Sequence, residues 1–149
     1  MAFHFRYENL LRYRKQLLER EQCELGKILA QLQKVENEYN ELEQLKTQYD
    51  KLLDERGENG ISAEEYILLM ENRQGLEYRL SQMERVLREW RKKADIQRQK
   101  VVEAKKNVET LETLKNIERE EYRKEQNRRE QKNSDEIAIL RNQGATYEG

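Results

Sequence analysis

The chain has 149 residues, 36% hydrophobic and 40% charged, with no proline and one cysteine. That is too little apolar material for a compact core but enough for a narrow seam between long helices, which the absence of proline leaves uninterrupted. With 29 basic and 30 acidic side chains the formal net charge is -1, which argues against general nucleic-acid binding through massed cations.

Taken from its start, Met1-Ala2-Phe3-His4-Phe5-Arg6 lacks the apolar stretch of a secretory signal. No later run approaches the ~20 apolar residues that cross a bilayer. The single Cys23 has no internal disulfide partner, and its phase puts it on an outward helix face, so the expected compartment is reducing cytosol. A surface thiol without a role is the simplest reading of it.

The first helix is expected to begin between Arg6 and Asn9 and to end near Arg56, roughly 75 Å on. Steps of three and four select one stripe on it: Tyr7, Leu11, Arg14, Leu18, Glu21, Leu25, Ile28, Leu32, Val35, Tyr39, Leu42, Lys46, Tyr49 and Leu53. A 3-4 repeat sustained this long places one helix face in a knobs-into-holes seam. Gly57 is the expected left-handed terminator, and residues 57–61 the turn. Ser62-Ala63-Glu64-Glu65 then reads as a capping box, with Ile61 and Tyr66 spaced for a hydrophobic staple.

The second helix, expected over 62–141, carries its own stripe: Tyr66, Leu69, Arg73, Leu76, Leu80, Met83, Leu87, Trp90, Ala94, Gln97, Val101, Ala104, Val108 and Leu111. Folding the chain back at the turn matches the stripes layer for layer. Leu53 meets Tyr66, Leu42 meets Leu76, Ile28 meets Trp90, Leu18 meets Val101 and Tyr7 meets Leu111, and the paired residue numbers sum to 118 or 119 throughout. The polar members also coincide, Glu21 opposite Gln97 and Lys46 opposite Arg73, which gives two polar layers that lower stability but fix register. Lys46 and Arg73 are expected to reach outward toward Glu43, Asp50 or Glu77. Two cations simply exposed at a loose point of the seam would satisfy the same pattern. The fold class is therefore all-α: a long antiparallel two-helix coiled-coil hairpin, a single domain with an overhanging C-terminal helix.

The matched register runs out near Leu111 while helix-favouring sequence continues to about Leu140, an overhang of roughly 40 Å. Phe3 and Phe5 are placed to fold along Leu114 and Ile117, and the tail 142–149 is expected to be disordered. The overhang reads either as a solvated single helix or as a segment that orders in a partner.

Charge is unevenly spread. Residues 35–84 hold 13 acidic and 5 basic side chains, whereas 13–34 with 85–106 hold 14 basic and 6 acidic. Such separation can orient a molecule toward partners of opposite potential, although helical charge runs are more often only solvated faces.

Catalytic chemistry finds no foothold. There is no glycine-rich phosphate loop, no paired Cys or His ligand set, and one histidine, His4, near the terminus. Carboxylates on the convex surface of a two-helix hairpin have no pocket to shift their pKa. A non-enzyme with no cofactor and no metal is expected. Apolar residues outside the strict seam suggest instead a binding site at each end: Leu45, Leu52, Ile67, Leu68, Met70 and Tyr78 near the turn, and Leu10, Tyr13, Leu17 and Tyr122 near the termini. Half of these would serve equally to widen the seam.

Several short motifs stand in a fixed order: Phe3-x-Phe5-Arg6, Leu10-Leu11-x-x-Arg14, the two helix lengths with Asn59-Gly60-Ile61 between them, Glu121-Tyr122-Arg123, and Glu130-Gln131-Lys132-x-x-Asp135-Glu136. In these the sequence resembles the FliJ family, the stalk proteins of the bacterial flagellar type III export apparatus. The resemblance implies an antiparallel coiled coil that inserts its terminal end into a hexameric export ATPase, promotes ring assembly, contacts the cytoplasmic domain of the export gate protein, and binds export chaperones. By this resemblance the gate contacts fall on Leu42, Leu45, Tyr49 and Leu76, with Asn72 and Arg79 where an aromatic and a small residue would be expected. The ATPase contacts fall on Arg6, Tyr13, Arg14, Tyr122, Arg123, Gln131, Lys132 and Asp135. The implied location is cytoplasmic, peripheral to the inner-membrane export apparatus, without membrane insertion, and mostly monomeric alone. Two other readings remain open. One is a generic tethering coiled coil that self-associates through the overhang. The other is an RNA-binding helical arm using Arg88, Arg91, Lys92, Lys93, Arg98 and Lys100.

Overall fold

The computed structural model describes residues 2–148, with side chains described up to residue 144. Two α-helices account for nearly all of it, α1 over Glu8–Asn59 and α2 over Ala63–Glu148, packed against each other as an all-α hairpin with no strand among the described residues.

The turn is tighter than expected. Gly57 stays helical and α1 continues to Asn59, while Gly60 takes the left-handed conformation at φ +81°. A left-handed terminator has to follow the last helical residue, and here the chain must reverse directly before Ser62, so Gly60 is the glycine in that place. The Ser62 hydroxyl accepts from the Glu65 amide at 3.2 Å, the forward half of the capping box. The Glu65 carboxylate, expected to reach back to Ser62, instead pairs with Arg56 across the turn at 3.3 Å. Tyr66, expected to close the last seam layer against Leu53, is 45% exposed.

The fold divides into two compact units, Glu19–Glu103 and Met1–Leu18 with Ala104–Gly149. In the Glu19–Glu103 unit Leu32, Val35, Leu87 and Ala94 form the buried cluster, flanked by Ile28, Leu29, Tyr39, Met83 and Trp90, and Leu76 and Leu80 are buried closer to the turn. Leu25, Leu42, Tyr49, Leu53 and Val101 are half-buried. Gln97 is 5% exposed, and its amide donates to the Glu21 carbonyl at 3.0 Å and to the Glu21 carboxylate. The second polar layer is resolved by carboxylates. Arg73 pairs with Asp50 at 2.5 Å and with Glu77 at 3.5 Å, and Lys46 reaches Glu77 at 3.7 Å. No two cations are left facing each other, which is what lets the seam run through this level.

In the terminal unit Phe5, Leu11, Val108 and Leu111 form the core, with Phe3, Tyr7, Leu18 and Leu114 against it. Phe5 is 3% exposed and Leu11 1%. A turn places the aromatics: the Glu8 amide donates to the Phe5 carbonyl at 3.3 Å, and the Leu11 amide to the Tyr7 carbonyl at 2.9 Å. The N-terminal segment thus acts as an extra strip of cover on α2 beyond the heptad register. Ile117 takes no part in it, being 51% exposed. Phe3 packs on Tyr122 instead, with ring centroids 5.7 Å apart.

Past residue 126 every described side chain of α2 up to residue 144 is exposed, and the helix continues to Glu148, seven residues past the Arg141 end expected. Nothing in Asn142-Gln143-Gly144-Ala145 obliges a stop, since proline is absent and a lone helical glycine costs only about 1 kcal/mol. The remainder of the tail's expected disorder, at Gly149 and in the side chains of 145–148, lies outside the described residues.

Candidate functional site

Each unit carries a candidate surface of its own. In the Glu19–Glu103 unit a groove of about 360 Å³ runs between the helices, lined by Leu45, Tyr49, Glu71, Asn72, Gly75, Leu76 and Arg79. It brings together three of the four residues expected at the gate, Leu45, Tyr49 and Leu76. Leu76 is buried as the floor, Tyr49 is half-buried and Leu45 is 41% exposed at the rim. Leu42, the fourth, is half-buried but does not line this groove. The absent side chain at Gly75 holds the groove open, because nothing lies within 4 Å of where its Cβ would stand.

On the other flank of the same seam the helices are tied by polar contacts. A groove of about 500 Å³ is lined by Tyr39, Glu43, Lys46, Thr47, Asp50, Glu77, Leu80, Ser81 and Glu84. Tyr39 donates its hydroxyl to Glu84 at 3.3 Å, and Arg91 pairs with Glu36 at 3.8 Å. Burial, together with the Glu43 and Glu84 carboxylates, pushes the Tyr39 phenol above its usual pKa, so it stays a donor.

The terminal unit carries the other set. Tyr13 is 61% exposed and Leu10 39%. Arg14 donates to the Asn107 carbonyl at 3.3 Å, Lys115 pairs with Glu8 at 2.9 Å and Lys15 with Glu112 at 3.4 Å. The Lys115 ammonium holds the Glu8 carboxyl below the ordinary carboxylate range. Arg6 lies over the Tyr7 ring at 5.3 Å and Arg119 over Phe3 at 5.8 Å, so the N-terminal aromatics are capped by cations. Tyr122 is half-buried against Phe3. Arg123 is paired with Glu120 at 2.5 Å, and Gln131 donates to Asp135 at 3.5 Å one turn on, while Lys132 is exposed.

These residues come from two elements: Arg6 precedes α1, Tyr13 and Arg14 lie on its first turns, and Tyr122, Arg123, Gln131, Lys132 and Asp135 follow one another along α2. The Phe3 contact with Tyr122 and the Arg119 cap were missed in the sequence because the heptad phase is lost there; the aromatic pair Phe3-x-Phe5 was the only signal. Among the described residues no group of three or more His, Cys, Asp or Glu could hold a metal ion, Cys23 is exposed, and no helix is long and apolar enough to cross a membrane.

Two long helices packed against each other, with a groove near the turn and an exposed charged helix beyond residue 126, define an all-α hairpin protein. Residues 3–145 match the family model described as Flagellar FliJ protein, and the chain belongs to that family. It is therefore a component of the flagellar export apparatus, from a family of non-catalytic members. Comparison with curated proteins and with solved structures returned no match.

Proposed function

We propose that this protein is a stalk and adaptor: its terminal unit enters the hexameric flagellar export ATPase and promotes ring assembly, while the groove near the turn engages the cytoplasmic domain of the export gate protein. The observation that carries the reading is the family match over residues 3–145, with a separate exposed surface on each unit. On the ATPase side the contacts are Arg6, Tyr13, Arg14, Tyr122, Arg123, Gln131, Lys132 and Asp135; on the gate side they are Leu42, Leu45, Tyr49 and Leu76. Export chaperones are further partners, and the protein works in the cytoplasm beside the inner-membrane apparatus as mostly a monomer.

Exposed helix beyond residue 126 supports the first half of this. Alternating Glu and Arg at i, i+3 and i, i+4 keeps it helical without a neighbour: Glu125 pairs with Arg128 at 3.0 Å and Arg129 at 3.4 Å. Ile137, Ile139 and Leu140, 52 to 66% exposed, leave apolar surface for a ring to cover. Mixing the chain at micromolar concentration with its cognate export ATPase raises ring formation and ATP hydrolysis; unchanged hydrolysis and sedimentation reject the reading.

A further inference from the structure

The two flanks of the seam in the Glu19–Glu103 unit are unlike. One is closed by Glu36–Arg91, Tyr39–Glu84, and the cluster of Asp50, Lys46, Arg73 and Glu77. The other, between 24–52 of α1 and 72–100 of α2, carries no interhelical hydrogen bond or ion pair among the described residues. At heptad spacing it presents Glu38, Leu45 and Leu52 from α1 and Arg79, Val86 and Lys93 from α2, all exposed. Positions seven apart share a face, so these six residues form one strip beside the seam.

We propose that a second copy of this chain occupies that strip, related by a two-fold axis at the level of Glu38 and Arg79. Three contacts follow from one offset of 41 between α1 numbering and the partner's α2 numbering. Glu38 meets Arg79 of the other copy, Leu45 meets Val86, and Leu52 lies along the aliphatic stem of Lys93. The symmetry repeats each contact, as an isologous interface requires. A slip by one heptad sets Leu45 against Arg79 or against Lys93, and Glu38 against Asn72 or Val86, so charge and apolar matching both select this register.

The closed flank offers no such match, because its charges are already paired within the chain. A net charge of -1 removes the overall repulsion that would keep copies apart. With two symmetric charge pairs and little apolar area the interface is weak and salt-sensitive, and at physiological ionic strength the monomer predominates. Leu45 and Arg79 also line the groove assigned above to the gate, so self-pairing hides it; that consequence, unlike the pairing, rests on the proposed function.

Sedimentation velocity on the full chain tests the pairing. Dimer is expected at tens of micromolar in 20 mM salt, with affinity falling at least tenfold by 300 mM. Glu38→Lys alone sets a lysine against Arg79 of the other copy, and Arg79→Glu alone sets two carboxylates against each other at the same level, so each variant weakens dimer about tenfold with helicity unchanged. An equimolar mixture of the two restores it, since both pairs re-form between unlike copies; an intrachain role for either residue predicts no recovery. The triple variant Ile137→Ser, Ile139→Ser, Leu140→Ser keeps the dimer. A monomer at every salt concentration, a dimer indifferent to salt, single variants that dimerise normally, a mixture that stays monomeric, or loss of dimer in the triple variant each overturns the proposal.

Discussion

Replacing Glu21 and Gln97 by leucine, singly and together, isolates the energetics of the one buried polar layer. The Gln97 amide, 5% exposed, makes two bonds to Glu21, one to the carbonyl and one to the carboxylate. A hydrogen bond to a charged group is worth about 1.5 to 3 kcal/mol, and either single change forfeits it. Burying a leucine side chain contributes about 1.5 to 3 kcal/mol at most, and less at position 21, which is only half-buried. Each single variant therefore lands near or below the parent. The double variant loses the bond once and gains both apolar contacts, ending about 1 kcal/mol more stable, as replacement of buried polar groups often does. The coupling energy is about 1.5 to 3 kcal/mol. Thermal unfolding followed by circular dichroism reads this as a melting-temperature rise of about 2 to 4 °C for the double variant. The fluorescence of Trp90, the only tryptophan, reports the same unit. Additivity of the two single changes within about 0.5 kcal/mol would refute the claim that the layer acts as a bonded pair.

Other perturbations have equally definite outcomes. Leu87→Ala empties a site that is 5% exposed between Leu32, Val35 and Ala94, and is expected to cost about 2 to 5 kcal/mol in urea unfolding. Gly60→Ala and Gly57→Ala should move stability in opposite directions. The first forces a side chain onto φ +81° and costs about 1 to 2 kcal/mol, whereas the second adds a methyl to open helix surface and stabilises by up to about 1 kcal/mol. Acid is expected to weaken the terminal unit first. Glu8, Glu120 and Glu125 have carboxyl groups held low by Lys115, Arg123 and Arg128, so their contribution is present above the ordinary carboxylate range and is lost as pH falls through the lowered values. A titration by NMR that finds these three protonating with the other glutamates would contradict it, and Glu8→Gln should flatten the acid limb of stability near the Phe3–Tyr122 contact.

What could be read in the sequence divides along a physical line. Spacing of three and four is a direct image of which helix face is covered, so the phases of both stripes and the facing of Glu21 with Gln97 were legible from residue numbers alone. The turn was legible only in part: Ser62 announces a helix start through its side chain, but two glycines three residues apart look equally able to end a helix, and only the point of chain reversal separates Gly57 from Gly60. Tyr66 fits the stripe by number yet stands exposed, because at the end of a seam there is no further layer to enclose it. The N-terminal aromatics lie outside any repeat, and a segment that packs by shape leaves no periodic trace. The same limit applies to the candidate surfaces. Spacing says that Leu45, Tyr49 and Leu76 share a side, but not that Gly75 opens a groove between them.

Burial also varies along the Glu19–Glu103 unit in a way that bears on how a partner is admitted. Leu32 and Val35 are the buried hydrophobic residues of α1 in this unit, and between Val35 and Asn59 no α1 side chain is buried; on α2 none is buried before Leu76. Each layer of a two-helix seam contacts only its neighbours, so stability is nearly local and the layers next to the turn can open without unfolding those around Leu87. Half-burial of Leu42, Tyr49 and Leu53 means that each still has apolar area to lose to a partner, which a fully enclosed core residue has not. A thin seam is thus what makes the groove near the turn adaptable. Native-state hydrogen exchange should show amides of 42–56 and 66–73 at least tenfold less protected than those of 28–36 and 83–94, and a ligand of the groove should narrow that difference. Uniform protection along the unit would mean that the layers open together, and that the groove near the turn owes nothing to the thinning of the seam.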